Sequence, residues 1–494
     1  MKPHIKSSVL AKLFFLLLII IYANQSFSQG QNHSWLIGYD IWPKGRMLFD
    51  DTSYTFLTET RKMQFLGTEG NISGANGNFL MSCNGEWIAN ASNDTMMNGA
   101  GLVPGSGDGL LLPHACLILP YPGDTNKFAI FHHTANLLGP YYKVTELLKT
   151  VVDITLDSGL GGVLIKSDTL INDTLNSGIT ACKHSNGRDW WIVAQKDSSN
   201  TFYILLLTPN GITNITTQNL NVFPLPWSNA CQPTFSPDGN KFSYSYYDDM
   251  LNHTVFLFDF DRCTGTFSNP QTIDITDGHL GFGLAFSPNS QFVYATSSVH
   301  VFQINTATLN VDTVSVIDTF YSNGFLMNYF LMYLAANGKI YITSGNSVQH
   351  LHFINYPDSA GVACDVQQHA INLGIWSFRA VPNHPNYYLG CDTASGCTCL
   401  TTGIEQLESH NFKFSLSPNP NNGNFNILYL LPQNKKGQLE IYDINGRRIF
   451  EMNLPPWSTM QNISLPTTIA DGIYNCVISS GNSRVNKKLV VIRN

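Results

Sequence analysis

Charge is scarce in this chain. Asp, Glu, Lys and Arg together make up 12% of its 494 residues, about half the share usual in soluble domains. That supply is too thin for a surface of salt-bridged helices. The polar exterior must come from Asn, Ser, Thr and Gly, which are the residues of turns between short strands. The net charge is −7 and unevenly spread. From Asn411 onward nine Lys/Arg stand against four Asp/Glu. Lys2, Lys6 and Lys12 add three positive charges at the front, which leaves −15 for everything between. So acidic a middle argues against nucleic acid as a partner, because phosphate binding needs clustered cations.

Long apolar runs are also lacking. The stretch LFFLLLIIIYA, residues 13–23, is an apolar core of 11 residues, short of the ~20 that span a bilayer, and no later segment approaches that length. With lysines before it and NQSFS after it, the run reads as a signal peptide over 1–28, cut between Ser28 and Gln29. The expectation is an exported chain with no transmembrane anchor in its mature form.

Linear catalytic motifs are missing: there is no G-x-S-x-G elbow, no H-E-x-x-H and no P-loop. GSGDG at 105–109 has no following Lys and reads as a turn. His350 and His352 share one face of a strand, but zinc needs further ligands that the sequence does not assign. His132 and His133 point to opposite faces if their stretch is a strand, which suits an interior or channel-facing residue better than a catalytic pair. No catalytic residue, metal or cofactor is expected. Ten cysteines in an exported protein are disulfide candidates. For Cys391, Cys397 and Cys399 a bridge within the cluster, or back to Cys364, is the expectation.

What the chain does have is a repeat. A Gly/Asn/Asp/Pro turn followed by an aromatic or β-branched strand recurs in GANGNFLMS, PGDTNKFAIFH, SNGRDWWIVA, SPDGNKFSYS, SPNSQFVYAT, AANGKIYITS and NHPNYYLG. The strand residues Phe79, Phe128, Trp190, Phe242, Phe292, Ile340 and Tyr387 lie 47 to 62 residues apart, the 62-residue step being the outlier. Asn-Gly and Asp-Gly accept the positive φ of tight hairpins. A period near 50 with several short strands per unit is what radially repeated four-stranded sheets produce. The spacing therefore predicts an all-β fold, a β-propeller of about seven blades over 29–390. Strands around 34–42 are expected to complete the last blade, since closure removes a free sheet edge.

FSPDGNKFSYS and FSPNSQFVYATS resemble blade motifs of WD40-like, YVTN-type and lactonase-type propellers. Residues 68–102 and 179–212, the latter including Asp189-Trp190-Trp191, resemble a family of exported bacterial propeller proteins. That resemblance implies architecture and export, and carries no activity.

After a Gly/Ser/Thr/Cys-rich linker at 391–411, closely spaced strand and turn signals over 412–494 predict a small immunoglobulin-like β-sandwich. Four pieces resemble the type A C-terminal sorting domain of the type IX (Por) secretion system. They are S-P-N-P-x-x-G-x-F-x-I at 417–427, D-x-x-G-R at 443–447, G-x-Y at 472–474 and K-L-V at 488–490. The residues that carry it are Pro418, Asn419, Pro420, Gly423, Phe425, Asp443, Gly446, Arg447, Gly472, Tyr474, Lys488, Leu489 and Val490, with Lys487 and Arg493 part of a basic terminus. The resemblance implies passage through the periplasm, recognition by the secretion machinery, trimming by its sortase, and a cargo that ends outside the outer membrane. For that cargo two functions stand. The first is a non-catalytic binding or adhesion module for a glycan or protein ligand. The second is a hydrolase or lyase with a site in the propeller channel.

Overall fold

The computed structural model describes residues 30–493 apart from 41–42, 51, 76, 106, 135, 139–140, 221–231, 248–252, 394, 401–413, 430–436, 455–459 and 481–482. The expected signal peptide, with Ser28 and Gln29, lies outside the described residues. The chain divides into two compact units, 1–400 and 401–494.

In the first unit the described strands build seven successive blades, the third and fourth continuous through one shared strand. Blade 1 is Ser34–Ile37, Lys44–Phe49 and Tyr54–Glu59. Blade 2 is Thr68–Ser73, Phe79–Cys83 and Ile88–Ala89. Blade 3 is Cys116–Pro120, Lys127–His133, Tyr141–Asp153 and the front half of Gly162–Lys183; the back half of that strand opens blade 4, which continues with Trp190–Lys196, Thr201–Thr208 and Gly211–Asn219. Blade 5 is Thr234–Phe235, Lys241–Tyr247, His253–Asp261 and Thr266–Ile275. Blade 6 is Gly281–Phe286, Phe292–Ser297, His300–Asn305 and Val311–Val316. Blade 7 is Met332–Leu334, Ile340–Ile342, Val348–Ile354 and Val366–Ser377. From blade 1 to blade 7 each first strand touches the next, and Val381–Pro382 joins the last to the first, which closes a ring.

Period-2 alternation explains the packing. In Phe292–Ser297, Phe292 and Tyr294 enter the core shared with blade 7, whereas Val293 and Ala295 enter the core shared with blade 5. Trp190 and Trp191 likewise face blades 3 and 5. A strand buried on both faces reads as a continuous apolar run. Each fully buried large apolar side chain contributes roughly 1.5–3 kcal/mol.

Six of the seven repeat anchors, Phe79 through Ile340, sit on the second strand of a blade. The 62-residue step reflects the long hairpin of Tyr141–Asp153 and Gly162–Lys183. The seventh anchor, Tyr387, is on no strand. The expected closure is also corrected. Strands near 34–42 do not complete the last blade but build blade 1 with their own neighbours. Closure comes from Val381–Pro382, added parallel to Thr68–Ser73, and from packing of Trp35 against Tyr333, with ring centres 5.7 Å apart.

Residues 391–400, the front of the expected linker, are fastened to the propeller. Cys263–Cys397 and Cys391–Cys399 are disulfides, and Asp392 N donates to Ser185 O at 2.8 Å. The bridge within the cluster is as expected. The second bridge goes to Cys263, and Cys364 keeps a buried free thiol.

The second unit is a two-sheet sandwich. One sheet holds Phe414–Ser417, Asn424–Tyr429 and Met460–Ser464. The other holds Arg448–Leu454, Gly437–Tyr442, Gly472–Ser480 and Ser483–Val491 in that order. Phe425, Ile427, Leu439, Ile441, Cys476, Ile478, Leu489 and Val491 form its core.

Candidate functional site

A segment after the last blade crosses the propeller axis. Asn383 Nδ2 donates to Ile179 O of blade 4 at 2.8 Å and to Cys116 O of blade 3 at 3.1 Å. His384 Nε2 donates to Asn71 O of blade 2 at 3.0 Å, and its Nδ1 accepts from the Tyr333 hydroxyl of blade 7 at 2.8 Å. Asn386 reaches Pro237 O at 2.6 Å, and the Tyr387 hydroxyl reaches Ile118 O at 3.0 Å. The segment read from sequence as a faint last repeat is therefore an axial plug joining five blades. Burial holds the His384 and His114 imidazoles neutral, down at about 4 and about 3. Glu69, fully buried beside the plug, is pushed up to about 8 by burial, although its Oε1 accepts from Leu36 N and Asn71 Nδ2, both at 2.9 Å.

The other sequence candidates each have hydrogen-bond partners within the fold. His132 bonds Thr150 at 3.0 Å and His133 bonds Glu146 O at 3.2 Å, both fully buried. His352 is buried and accepts from His369 N at 3.0 Å, while His350 bonds Ser322 at 2.9 Å, so each ring is tied to a different partner. In GSGDG the amides of Gly107 and Gly109 donate to Glu86 Oε2 at 2.6 and 3.1 Å, so the loop cradles its own carboxylate. Asp189 is held by Arg188 and Asn186 within a turn.

One exposed feature had no sequence forecast. Asn323 and Gly324, with φ of 51° and 86°, turn a small hairpin between blades 6 and 7 that holds Tyr321, Phe325 and Leu326 out to solvent at 61%, 48% and 45% exposure. Beside it Phe325 packs edge-on to Trp376 at 6.0 Å, and Phe320 stacks on His369 at 4.0 Å. His369 in turn bonds Asp318 at 3.2 Å. Burial and the neighbouring His369 lower the pKa of His350, the imidazole next to Phe320. The signal for this patch was present in YSNGFL, an Asn-Gly turn flanked by apolar residues.

In the C-terminal unit the motif residues separated in sequence come together. Asn419 Nδ2 donates to Lys488 O, and Asn419 Oδ1 accepts from Val490 N, both at 2.8 Å. Asn421 repeats the device on Val490 O at 3.0 Å. Gly423 has φ of 97°, and a Cβ there would lie 2.8 Å from the Arg493 guanidinium. That guanidinium reaches Pro466 O, Ile469 O and Asp471, so Arg493 is a clasp and not part of a free basic end. Phe425 and Leu489 are core residues, and Gly472 pairs with Val491. Tyr474 donates to Ala470 O at 2.5 Å. Asp443 Oδ1 accepts from the amides of Asn445 and Arg447 at 2.9 Å, with Gly446 in the left-handed region at φ 77°. Pro418 and Pro420 are exposed, flanking Asn419.

Residues 415–492 match the family described as "Secretion system C-terminal sorting domain". The chain carries a type IX sorting domain behind a β-propeller, and such a protein is exported to the cell surface or released. No curated protein matches the sequence. Among solved structures the chain is similar to PorZ, a surface component of the type-IX secretion system of Porphyromonas gingivalis, at 11% identity and TM-score 0.30, covering 91% of this chain and 68% of that one. It is similar to a Bacteroides fragilis protein described as a "putative 6-phosphogluconolactonase", at 11% identity and TM-score 0.36, covering 70% and 96%. A nidogen/laminin complex aligns at 9% identity and TM-score 0.36, covering 71% and 97%. These likenesses add nothing to the fold that the blades do not already establish.

The sorting domain presents an open hollow of about 730 Å³ on its four-stranded sheet, between the loop Asp443–Gly446 and the terminal strand. Tyr442, Ile444, Ile473 and Tyr474 line it, with Arg484, Lys487 and Lys488 supplying positive charge. Four of the motif residues, Asp443, Gly446, Tyr474 and Lys488, border this one surface.

Proposed function

We propose that this protein is a secreted or cell-surface binding module whose propeller recognises a glycan or protein ligand without catalysis. The observation that carries the reading is the aromatic hairpin patch. Exposed rings of Tyr321 and Phe325 beside the Asp318–His369 pair combine apolar faces with hydrogen-bonding edges, as ligand grooves do. The channel-site hydrolase or lyase is the weaker reading, because the plug occupies the axis where its titratable groups would converge.

In this reading the signal peptide over 1–28 is cut between Ser28 and Gln29. The sorting motif from Pro418 to Val490 then serves as the address for the secretion machinery and its sortase. The three-on-four sandwich supports an immunoglobulin-like sorting domain. Binding is tested with the full chain and the variant Y321A/F325A against a panel of purified surface glycans and proteins. A ligand bound by wild type and lost by the variant, at unchanged melting temperature, supports the reading. A ligand bound equally by both would remove the patch from it. Export is tested in a host with the type IX system. A chain ending at Leu400 should stay in the periplasm while the full chain reaches the exterior.

A further inference from the structure

Blades 2 and 3 meet at a pair of thiols. Gly70 of Thr68–Ser73 pairs directly with Cys83 of Phe79–Cys83. Directly paired residues of an antiparallel ladder project to the same face, with Cβ atoms about 4.5–5.5 Å apart. Cys116 opens the first strand of blade 3, and its Sγ lies 2.9 Å from where a Cβ of Gly70 would stand. Glycine at position 70 thus leaves a space that the Cys116 sulfur occupies, on the face from which Cys83 projects. The two thiols are electrostatic neighbours inside one apolar core, and both side chains are fully buried. The amide of Gly85 donates to Cys83 Sγ at 3.3 Å. The other free thiols, Cys182, Cys364 and Cys476, show no such pairing: Cys182 faces the Lys183 and Gly239 carbonyls, Cys364 sits between blades 6 and 7, and Cys476 lies in the sorting domain.

We infer that Cys83 and Cys116 are a redox-active pair that closes to a disulfide in the exported protein, stapling blade 2 to blade 3. The chain passes through an oxidising compartment, and two bridges already stand beside blades 4 and 5, at Cys263–Cys397 and Cys391–Cys399. The oxidant is a disulfide-bonded thiol oxidoreductase of the envelope. A thiolate of the pair attacks one sulfur of its disulfide, giving a mixed disulfide and releasing the other sulfur as a thiolate. The second cysteine, deprotonated, then attacks the sulfur on this chain. The products are the Cys83–Cys116 bond and a reduced dithiol carrier, so two electrons leave and two protons are released from the pair. Because burial raises the Cys116 thiol well above its ordinary range, exchange belongs to folding, before the blades close over the pair.

The test uses the full chain exported to an oxidising periplasm. Cells are quenched in acid, and the protein is unfolded in N-ethylmaleimide without reductant, digested and mapped by mass. A peptide pair linked through Cys83 and Cys116 as the main form of both residues is the expected result. Both cysteines recovered chiefly as maleimide adducts, or linked to other partners, would overturn the inference. A second measurement guards against loss in work-up. Cytoplasmic expression under reducing conditions should yield both residues as adducts, and adding an oxidised dithiol carrier during refolding should restore the link. Failure of that carrier to form the link, while Cys263–Cys397 forms, would also overturn it.

Discussion

Asn419 and Lys488 stand 69 positions apart, yet the side-chain amide of Asn419 donates to the Lys488 carbonyl at 2.8 Å and accepts from the next-but-one amide, Val490, at the same distance. One side chain thus imitates a strand residue along the free edge of the last strand. Its exposed backbone groups would otherwise be a template for mispairing.

Replacing Asn419 and Asn421 together by Ala removes these bonds at a typical net cost of about 1 kcal/mol each. The expected outcome is faster amide exchange over 485–492 and reduced export, with the propeller's melting transition unchanged. Export at the wild-type level despite a frayed terminal strand would separate the address from this clasp. Gly423→Ala adds strain from its left-handed φ, on the order of 1–2 kcal/mol, and should act in the same direction.

Acid should loosen the propeller. His114, His132 and His352 are lowered to about 3, and His133, His253 and His384 to about 4, burial being the first cause in each. Their folded values lie below the unfolded 6.5, so the stability they contribute is full above 6.5 and is lost as pH falls toward 4. Glu69 has the opposite sign. Raised from 4.5 to about 8, it contributes fully below 4.5 and loses that stability as pH rises to 8. Each proton is worth ~1.4 kcal/mol per pH unit. Calorimetry from pH 5 to 8 should find the melting temperature falling steeply on the acid side and gently on the alkaline side. Glu69→Gln should abolish the alkaline decline and steepen the net fall on the acid side, where Glu69 partly offsets the histidines.

Asn383→Ala would leave the Ile179 and Cys116 carbonyls unpartnered inside the axis. The cost is roughly 1–3 kcal/mol, read as a lower melting temperature and as exchange of the 383–390 amides ahead of the blades. If those amides stay as protected as in wild type, the plug is held by packing of Tyr387 against Trp190 instead.

Tyr321→Ala with Phe325→Ala should shift unfolding by less than about 0.5 kcal/mol each, as exposed side chains do. A much larger loss would mean the hairpin supports blade 7 structurally, and binding data on the variant would then need Trp376→Phe as a companion.

Much of this protein was legible in the sequence because the relevant forces are local. Turn chemistry at Asn-Gly and Asp-Gly and two-residue alternation along Trp190–Lys196 or Phe292–Ser297 dictate strands, their spacing and hence blades. The sorting motifs were legible for the same reason, as short turns with particular φ requirements at Gly423 and Gly446. The tertiary structure alone decided what depends on distant partners. NHPNYYLG carries the composition of a blade strand, but its hydrogen-bond partners lie up to 313 residues away at Asn71, and they draw it into the axis. The same holds for Cys397, whose partner Cys263 is 134 residues distant, and for Gly70, whose missing Cβ makes room for Cys116. Local propensity specifies which segments extend; only ring closure specifies which residues then meet.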